Sequence, residues 1–182
     1  MADASVRMAR LADVQAAAAA QLRAWQADGV LPPEALEGHD ESTMARGWER
    51  AVIAPPSRRH QLLVALDGDR VVGLAAITPA ADPDCDPDTD SELVLLVVDP
   101  DARNQGHGSR LLAASARHAA EGGAQRLYVW AAATDDRLRA FLDAAGWAAD
   151  GAHRTLDRYG DDSVLLRQVR LGTSLDRSPD AA

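Results

Sequence analysis

A glycine-containing loop at residues 101–108 has the composition of an anion-binding site. Gly106 and Gly108 can adopt backbone angles that other residues resist, so that successive N–H groups can turn toward one point. Residues 103–126 contain four arginines and one glutamate, which gives them a net charge of +3 on a chain whose formal net charge is −9. A positive island on an acidic chain predicts a phosphate-bearing ligand at this loop.

A carboxylate that could act as a general base, Glu92, precedes Arg103 by 11 residues. Partial burial at the start of a strand would raise its pKa toward the range useful for taking a proton, directly or through a water molecule. The alternative is an ordinary exposed glutamate at a strand end. The five histidines are scattered without metal-ligand spacing, so we predict no metal site and no strong catalytic histidine.

These groups must be positioned by a strand, a loop and a helix in succession. Residues 93–98 form an unbroken apolar run that Asp99 and Pro100 end, which is typical of a strand covered on both faces. From about Ser109, apolar residues recur at helical spacing until Gly122 and Gly123. Such a helix directs its free N–H groups and the positive end of its dipole at a ligand before its first turn. The glycines could instead serve only a tight turn.

Residues 103–108, Arg-Asn-Gln-Gly-His-Gly, resemble the Arg/Gln-x-x-Gly-x-Gly/Ala signature of the GNAT superfamily, the acyl-CoA-dependent N-acyltransferases. The signature stands in its usual place, after an apolar strand ending near Val-x-Pro. A dinucleotide fingerprint is absent, and a P-loop would need a lysine that this chain lacks. The resemblance covers roughly residues 5–171 and implies an enzyme that moves an acetyl group from acetyl-CoA to a primary amine by direct transfer in a ternary complex.

The resemblance also implies roles for individual residues. The backbone of residues 103–109 would hold the pyrophosphate of acetyl-CoA, and the strand end would pair with the pantetheine arm where the family's two central strands splay apart, with a strand amide facing the thioester oxygen. Glu92 matches the place of the catalytic glutamate in the histone-acetyltransferase branch. The cofactor-binding candidates are Leu96, Val97, Val98, Arg103, Asn104, Gln105, Gly106, His107, Gly108, Ser109 and Asp135.

Two residues depart from the family pattern. Leu142 stands where many members have a tyrosine, and Asp135 stands where many have an asparagine. Because a CoA thiol should have a pKa near the ~8.5 of cysteine, its thiolate can leave near neutral pH with weak acid assistance or with help from water. Tyr128 and Tyr159 are alternative proton donors. The departures leave a second interpretation open, an acyl-CoA-binding regulatory or interaction module with weak or no turnover.

The remaining pattern predicts one α/β (α+β) domain of GNAT type over residues 1–171, followed by a disordered tail at residues 172–182. The expected fold is a mixed, mostly antiparallel twisted sheet of six to seven strands with helices on both faces. The expected elements are a strand at 6–9, a helix capped by Asp13, a helix from Asp40 or Ser42 to Pro55, a hairpin of 62–66 with 71–77, a strand at 126–131, a helix capped by Thr134, and a closing hairpin of 147–156 with 163–171.

Two segments bear on the amine acceptor. The first two helices carry an Ala-Trp, Leu-Pro and Trp pattern that resembles a group of bacterial GNAT proteins, in which this helical pair forms one wall of the acceptor pocket. Five aspartates occupy every second position from Asp82 to Asp90. This segment could be a solvated loop, a cation site or a funnel for a basic substrate, although an EF-hand's central glycine and final glutamate are missing. The acceptor stays open among metabolites, antibiotics, peptide N-termini and protein lysines.

Composition limits the partners and the setting. The pI near 4.9 argues against general nucleic-acid binding, and excess acid would attract a cationic amine. Cys85 is the only cysteine, so no intramolecular disulfide can form and a cytoplasmic setting is the simplest interpretation. No apolar run approaches the ~20 residues that cross a bilayer, and we expect no membrane partner. A homodimer is left open.

Overall fold

A seven-stranded sheet organises the computed structural model, which describes residues 4–31, 33–157 and 159–175. The strand order is β1-β2-β3-β4-β5-β7-β6, and of the neighbouring pairs only β4 and β5 run parallel. This mixed, mostly antiparallel sheet with helices confirms the predicted fold class. The strands are β1 (Ala4–Met8), β2 (Gln61–Asp67), β3 (Arg70–Pro79), β4 (Asp90–Val98), β5 (Arg126–Ala132), β6 (Ala148–Asp157) and β7 (Leu165–Ser174).

Helices cover both faces of the sheet. The helices are α1 (Val14–Asp28), α2 (Pro33–Leu36), α3 (Glu41–Ile53), α4 (His107–Glu121) and α5 (Asp136–Ala144). Alternate residues of β2 serve the two layers, because Leu63 and Ala65 pack in the core under α4, while Leu62 and Val64 pack under α1 and α3. Since both faces are buried, β2 reads in the sequence as one continuous apolar run.

Strand β4 separates from β5 in the middle of the sheet. It pairs with β5 only through Asp90, Ser91 and Glu92, and beyond Glu92 the two parallel strands separate. On its other side β4 carries an irregularity, where Leu93 and Leu95 face consecutive residues of β3 and Val94 is the extra residue. Val94 is 46% exposed in the middle of an otherwise apolar strand. The expected splay is therefore present, and backbone groups of β4 beyond Glu92 do not pair with β5.

The structure corrects several local predictions. Asp13 does not cap α1 with its side chain, because its carboxylate accepts hydrogen bonds from Arg7 and from the N–H of Arg10. The N-cap of α5 lies one residue after the predicted Thr134. The carboxylate of Asp135 accepts from the N–H of Leu138. Residues 172–174, predicted as the start of a tail, extend β7, and residues 176–182 lie outside the described residues.

No helix within residues 4–31, 33–157 and 159–175 is long and apolar enough to cross a membrane.

Candidate active site

A cleft of about 390 Å³ lies where β4 and β5 separate. Its walls come from the end of β4, the loop that follows it, the N-terminus of α4 and one side of α5. The lining residues are Asp28, Leu96, Val97, Val98, Ala102, Arg103, Asn104, Gly106, Gly108, Ser109, Asp135, Arg137, Leu138 and Phe141. Nine of the predicted cofactor-binding residues therefore meet in one cleft: Leu96, Val97, Val98, Arg103, Asn104, Gly106, Gly108, Ser109 and Asp135.

The loop before α4 contains two residues with a left-handed backbone conformation. Asn104 has a φ of 60° and Gly106 a φ of 82°, and α4 begins directly afterwards at His107. Its first N–H groups have no partner within the helix, so they are available to an anion in the cleft. The expectation of an unusual backbone angle applies to Gly106 and not to Gly108. A Cβ at Gly108 would make only ordinary contacts of 3.7 Å with Phe141 and Val98.

Two predicted residues of the loop do not line the cleft. The side chain of Gln105 is exposed and donates to the carbonyl of Asp101 at 3.3 Å. His107 is 2% exposed, and its Nδ1 has no hydrogen-bond partner among the described residues. The signature therefore combines residues that face the cleft with residues that hold the loop or fill the core, which a one-dimensional motif does not distinguish.

A carboxylate that sequence reasoning missed bridges two arginines at the cleft. Asp28, the last residue of α1, accepts an ion pair from Arg103 at 2.9 Å and another from Arg137 at 2.7 Å. Arg103 also donates through Nε to the carbonyl of Val98 at 3.2 Å. No sequence signal joins these residues, because Asp28 lies 109 positions from Arg137. Leu138 and Phe141 were missed for the same reason, whereas Ala102 lies beside Arg103 within the predicted loop and was missed because its side chain carries no chemical signal.

The two family departures have clear structural settings. Leu142 is fully buried in the core under α4, and its neighbour Phe141 lines the cleft. Asp135 lines the cleft while capping α5. Neither alternative tyrosine is among the cleft's lining residues, since Tyr128 lies beside Glu92 on β5 and Tyr159 donates to the carbonyl of Glu34 at 3.4 Å.

Glu92 occupies the last position at which β4 and β5 pair. Its neighbours across the strands are Thr78 on β3 and Tyr128 on β5. The residue is half-buried, and loss of solvent raises the pKa of its carboxyl above the ordinary value. The nearby charge of Arg154 opposes this rise in pKa, that of Asp82 adds to it, and that of Arg170 opposes it. Glu92 lies outside the cleft lining but at the opening between the strands.

Arginines and aromatic rings alternate on the sheet face that Glu92 shares. The register places Tyr128 beside Glu92, and Trp130 beside Arg170. The guanidinium of Arg170 lies 4.8 Å from the ring centre of Tyr128 and 5.6 Å from that of Trp130. Arg154 lies 4.3 Å from the ring centre of Trp130. These distances fall within the range of cation–π attraction, so the two guanidinium groups are held against the aromatic rings and do not extend freely into solvent.

The acidic loop at residues 80–90 packs onto this face through ion pairs. Asp84 contacts Arg170 at 2.8 Å, and Asp82 accepts from Trp130 Nε1 at 2.9 Å. Asp90 is fully buried and forms a two-pronged ion pair with Arg126 at 2.8 and 2.9 Å. Three of the five alternating aspartates are thus already paired within the protein. Asp86 and Asp88 remain exposed, as a solvated loop predicts, while the three paired aspartates hold the loop against the sheet.

One group in this loop has the spacing of metal ligands. Oxygens of Asp82 and Asp84 and the sulfur of Cys85 lie within 4.8 Å of one another. Arg170 approaches all three, with Nη1 at 2.8 Å from Asp84, 3.4 Å from Asp82 and 3.4 Å from Cys85. The guanidinium therefore supplies positive charge to the two carboxylates, while burial raises the pKa of the Cys85 thiol to about 11 and keeps it neutral.

Comparisons with known proteins agree with this arrangement. The model described as the acetyltransferase (GNAT) family matches residues 20–147. No curated protein matches the sequence. Among solved structures, yncA from Salmonella typhimurium with its cofactor acetyl-CoA is 17% identical, with a TM-score of 0.72 over 98% of this chain and 99% of that chain.

Two further structures have the same fold. The N-acetyltransferase from Staphylococcus aureus Mu50 is 18% identical, with a TM-score of 0.71 over 96% of this chain and 99% of that chain. A ribosomal-protein-alanine N-acetyltransferase from Brucella melitensis is 23% identical, with a TM-score of 0.71 over 93% of this chain and 99% of that chain. At these identities the likeness establishes the fold and leaves the acceptor open.

Proposed function

This chain belongs to the acetyltransferase (GNAT) family, whose enzymes use acetyl-CoA to acetylate amines, and we propose that it transfers the acetyl group directly to a primary amine in a ternary complex. One observation carries the proposal. Strand β4 has the carboxylate of Glu92 near its start and the loop of residues 101–108 after its end, and between them its backbone is released from β5. A carboxylate, a free strand edge and a helix N-terminus thus lie along one continuous segment, which supports their assignment as base, pantetheine-binding edge and pyrophosphate site.

We assign the cofactor to the cleft at the end of β4. The first N–H groups of α4 and the Gly106 turn would hold the pyrophosphate, and Arg103 and Arg137 would add positive charge. Leu96 and Val98 would pair with the amide-containing pantetheine arm in place of β5. Phe141 supplies an apolar wall. The bound thioester supplies an activated carbonyl carbon and a thiolate leaving group.

The chain's own groups account for the loss of the amine proton and for the charge that develops on the carbonyl oxygen. Glu92 takes a proton from the acceptor amine, directly or through water, as the nitrogen bonds to the carbonyl carbon and the carbon–sulfur bond breaks. The strand amides freed by the splay can donate to the carbonyl oxygen as negative charge develops there. Because no tyrosine is among the residues that line the cleft in the described part of the chain, we propose that solvent protonates the departing thiolate.

The acceptor is proposed only as a primary amine on a small molecule or a peptide. Glu92 faces a surface that carries Asp82, Arg154 and Arg170, so the acceptor meets charges of both signs. The lone Cys85 supports a reducing cytoplasmic setting.

A panel of amines with acetyl-CoA tests the proposal. Mass spectrometry of the acetylated amine, measured together with thiol release, distinguishes transfer from hydrolysis. Direct transfer predicts intersecting initial-rate plots when both substrates are varied, whereas parallel plots would indicate an acetylated enzyme. Acetylated product from no amine in the panel would contradict the proposed function.

A regulatory acyl-CoA-binding module is the second candidate, because the buried Leu142 takes the place of the family's tyrosine. Calorimetry measures acetyl-CoA binding independently of turnover. Binding of acetyl-CoA together with no acetylated product from any amine in a broad panel favours the module over the enzyme.

A further inference from the structure

The surroundings of Glu92 contain two side chains of opposite charge that are fixed in place. Asp82, in the loop before β4, and Arg154, on β6, both contact Trp130, which lies two residues along β5 from Tyr128, the cross-strand neighbour of Glu92. Their charges change the pKa of Glu92 in opposite directions, since Asp82 raises it and Arg154 lowers it. Both act on a half-buried carboxyl, where screening by water is weaker than at an open surface.

Asp82 is fixed by contacts from three strands. One carboxylate oxygen accepts from Trp130 Nε1 on β5 at 2.9 Å and lies 3.4 Å from Arg170 Nη1 on β7. The other oxygen lies 3.8 Å from Arg154 Nη1 on β6. The side chain of Asp82 is only 18% exposed. A surface aspartate serving solubility alone would not need partners on three strands.

Arg154 is fixed as closely. Its Nε donates to Gln168 at 2.7 Å, and its guanidinium lies 4.3 Å from the ring centre of Trp130. The planar group therefore has a defined position between the ring and Asp82. A lysine could retain the charge but could not reproduce this stacked, two-sided contact.

Every neighbouring element contributes to the environment of Glu92. The facing polar or charged groups are Thr78 on β3, Tyr128 on β5, Arg154 on β6, Arg170 on β7 and Asp82 in the loop. Arg170 also lowers the pKa of Glu92, but it is bound to Asp84 and Asp150 as well, with contacts of 2.8 and 2.7 Å. Its removal would disturb the loop and the sheet together. The pair of Asp82 and Arg154 can be changed with less damage.

We propose that Asp82 and Arg154 are positioning residues for Glu92, a pair of opposite charges on its sheet face that sets the pH range in which this base accepts a proton. The inference rests on the proposed function. Neither residue needs to touch the substrates. Burial raises the pKa of Glu92, Arg154 lowers it and Asp82 raises it, so loss of either partner changes that pKa in a predictable direction.

The decisive experiment compares pH profiles of kcat/KM for the acceptor at saturating acetyl-CoA. In Asp82→Asn, loss of the negative charge lowers the pKa of Glu92, so the acidic limb moves to lower pH. In Arg154→Gln, loss of the positive charge raises that pKa, so the limb moves to higher pH. We express each rate at one pH unit below the parent's midpoint as a fraction of that protein's own plateau rate. This fraction should be roughly threefold higher in Asp82→Asn, and roughly threefold lower in Arg154→Gln, than in the parent.

Controls separate this effect from structural damage. The double variant of Asp82→Asn and Arg154→Gln should return the limb close to the parent's position. Asp88→Asn in the same loop and Arg167→Gln on β7 remove exposed charges and should leave the limb in place. Arg154→Lys keeps the charge and should restore the midpoint even if the plateau falls. If a neutral substitution unfolds the protein, Asp82→Glu and Arg154→Lys still test whether charge alone holds the midpoint.

The outcomes distinguish this inference from the proposed function. If Glu92→Gln abolishes the acidic limb, Glu92 remains the base. If the limb then moves in the same direction in Asp82→Asn and Arg154→Gln, or does not move in either, the proposed role of the pair is overturned. A limb that survives Glu92→Gln overturns both. Opposite displacements, cancelled in the double variant, establish the pair as the group that sets the pH range.

Discussion

The two ends of strand β4 hold their functional groups by different means. At its C-terminal end, the cleft relies on backbone: a left-handed turn at Gly106, free N–H groups of α4 and a strand edge released from β5. At its N-terminal end, Glu92 is surrounded by side chains from four strands and a loop, held by ion pairs and ring contacts. The C-terminal end, proposed to bind the cofactor and called here the cofactor end, should therefore respond to backbone changes. The N-terminal end, proposed to face the acceptor and called the acceptor end, should respond to changes of charge.

The largest expected effect is the loss of the proposed base at the acceptor end. Glu92→Gln keeps the shape of the side chain but cannot take a proton, so turnover should fall by roughly 10² to 10⁴ with little change in acetyl-CoA affinity. Because the pKa of Glu92 is raised, the parent's rate should fall as pH drops through that raised value. This acidic limb should vanish in the variant.

Steady-state rates across pH and calorimetry with acetyl-CoA measure the two quantities separately. Glu121→Gln, an exposed glutamate on α4, is the matched control and should behave like the parent. A fall of less than about threefold at every pH would mean that Glu92 is structural or that the amine arrives already neutral.

A backbone change should act at the opposite end. Gly106→Val must adopt a φ of 82°, and its Cβ would lie 2.7 Å from Arg110 Nη1, so we expect acetyl-CoA affinity to fall by about tenfold or more. Gly123→Val is the control, because Gly123 has a φ of 91°, a Cβ there would meet no atom within 4 Å, and the residue lies at the far end of α4. Unchanged affinity in a folded Gly106→Val protein would remove the cradle from the cofactor site.

The same comparison explains which parts of the molecule could be predicted. The strand, loop and helix around residues 93–121 are contiguous, so periodicity and two glycines were sufficient to place them. Asp28 and Arg137 meet only after the chain has folded, and Trp130, Arg154 and Arg170 share a face only because β7 lies between β5 and β6. No regular residue spacing in the sequence marks either of these two groups.

Residue type alone also led to wrong predictions of the N-cap at two helices, α1 and α5. Asp13 has the residue type of a helix cap, but Arg7 on β1, six residues earlier, binds its carboxylate. Thr134 and Asp135 are both good capping residues, and it is the carboxylate of Asp135 that accepts from the N–H of Leu138 in α5. The buried His107 belongs to the signature by position, yet its side chain fills the core and does not line the cleft.

Removal of Arg170 should show how strongly the acceptor end depends on charge. Arg170→Ala leaves Asp82, Asp84 and Asp150 close together without their shared partner, so the melting temperature should fall by about 5 °C or more. Arg167→Ala, an exposed arginine on the same strand, should lower it by much less. Equal changes in the two variants would show that the cluster adds nothing specific to stability.

A smaller effect is expected from the carboxylate at the cofactor end. Asp28→Asn frees Arg103 and Arg137 from a competing negative charge, so the KM for acetyl-CoA should fall by about threefold at low salt. Asp101→Asn removes an exposed charge from the neighbouring loop and serves as the control. A higher KM in Asp28→Asn would instead show that Asp28 holds the two arginines in their binding positions.

The smallest expected effect concerns recruitment of a cationic acceptor by the acidic loop. Asp86 and Asp88 are its exposed aspartates apart from Asp84, whose charge is already balanced by Arg170. Exposed charges are screened over a Debye length of about 8 Å at physiological ionic strength, so replacing Asp86 and Asp88 with asparagine should lower kcat/KM for a dicationic amine by no more than about twofold, and only at low salt. Rates with a neutral-chain amine provide the reference. A much larger, dication-specific loss that persists in high salt would mean that these two aspartates contact the acceptor, and the charges that matter at this end would then include the loop's outer surface as well as the pair beside Glu92.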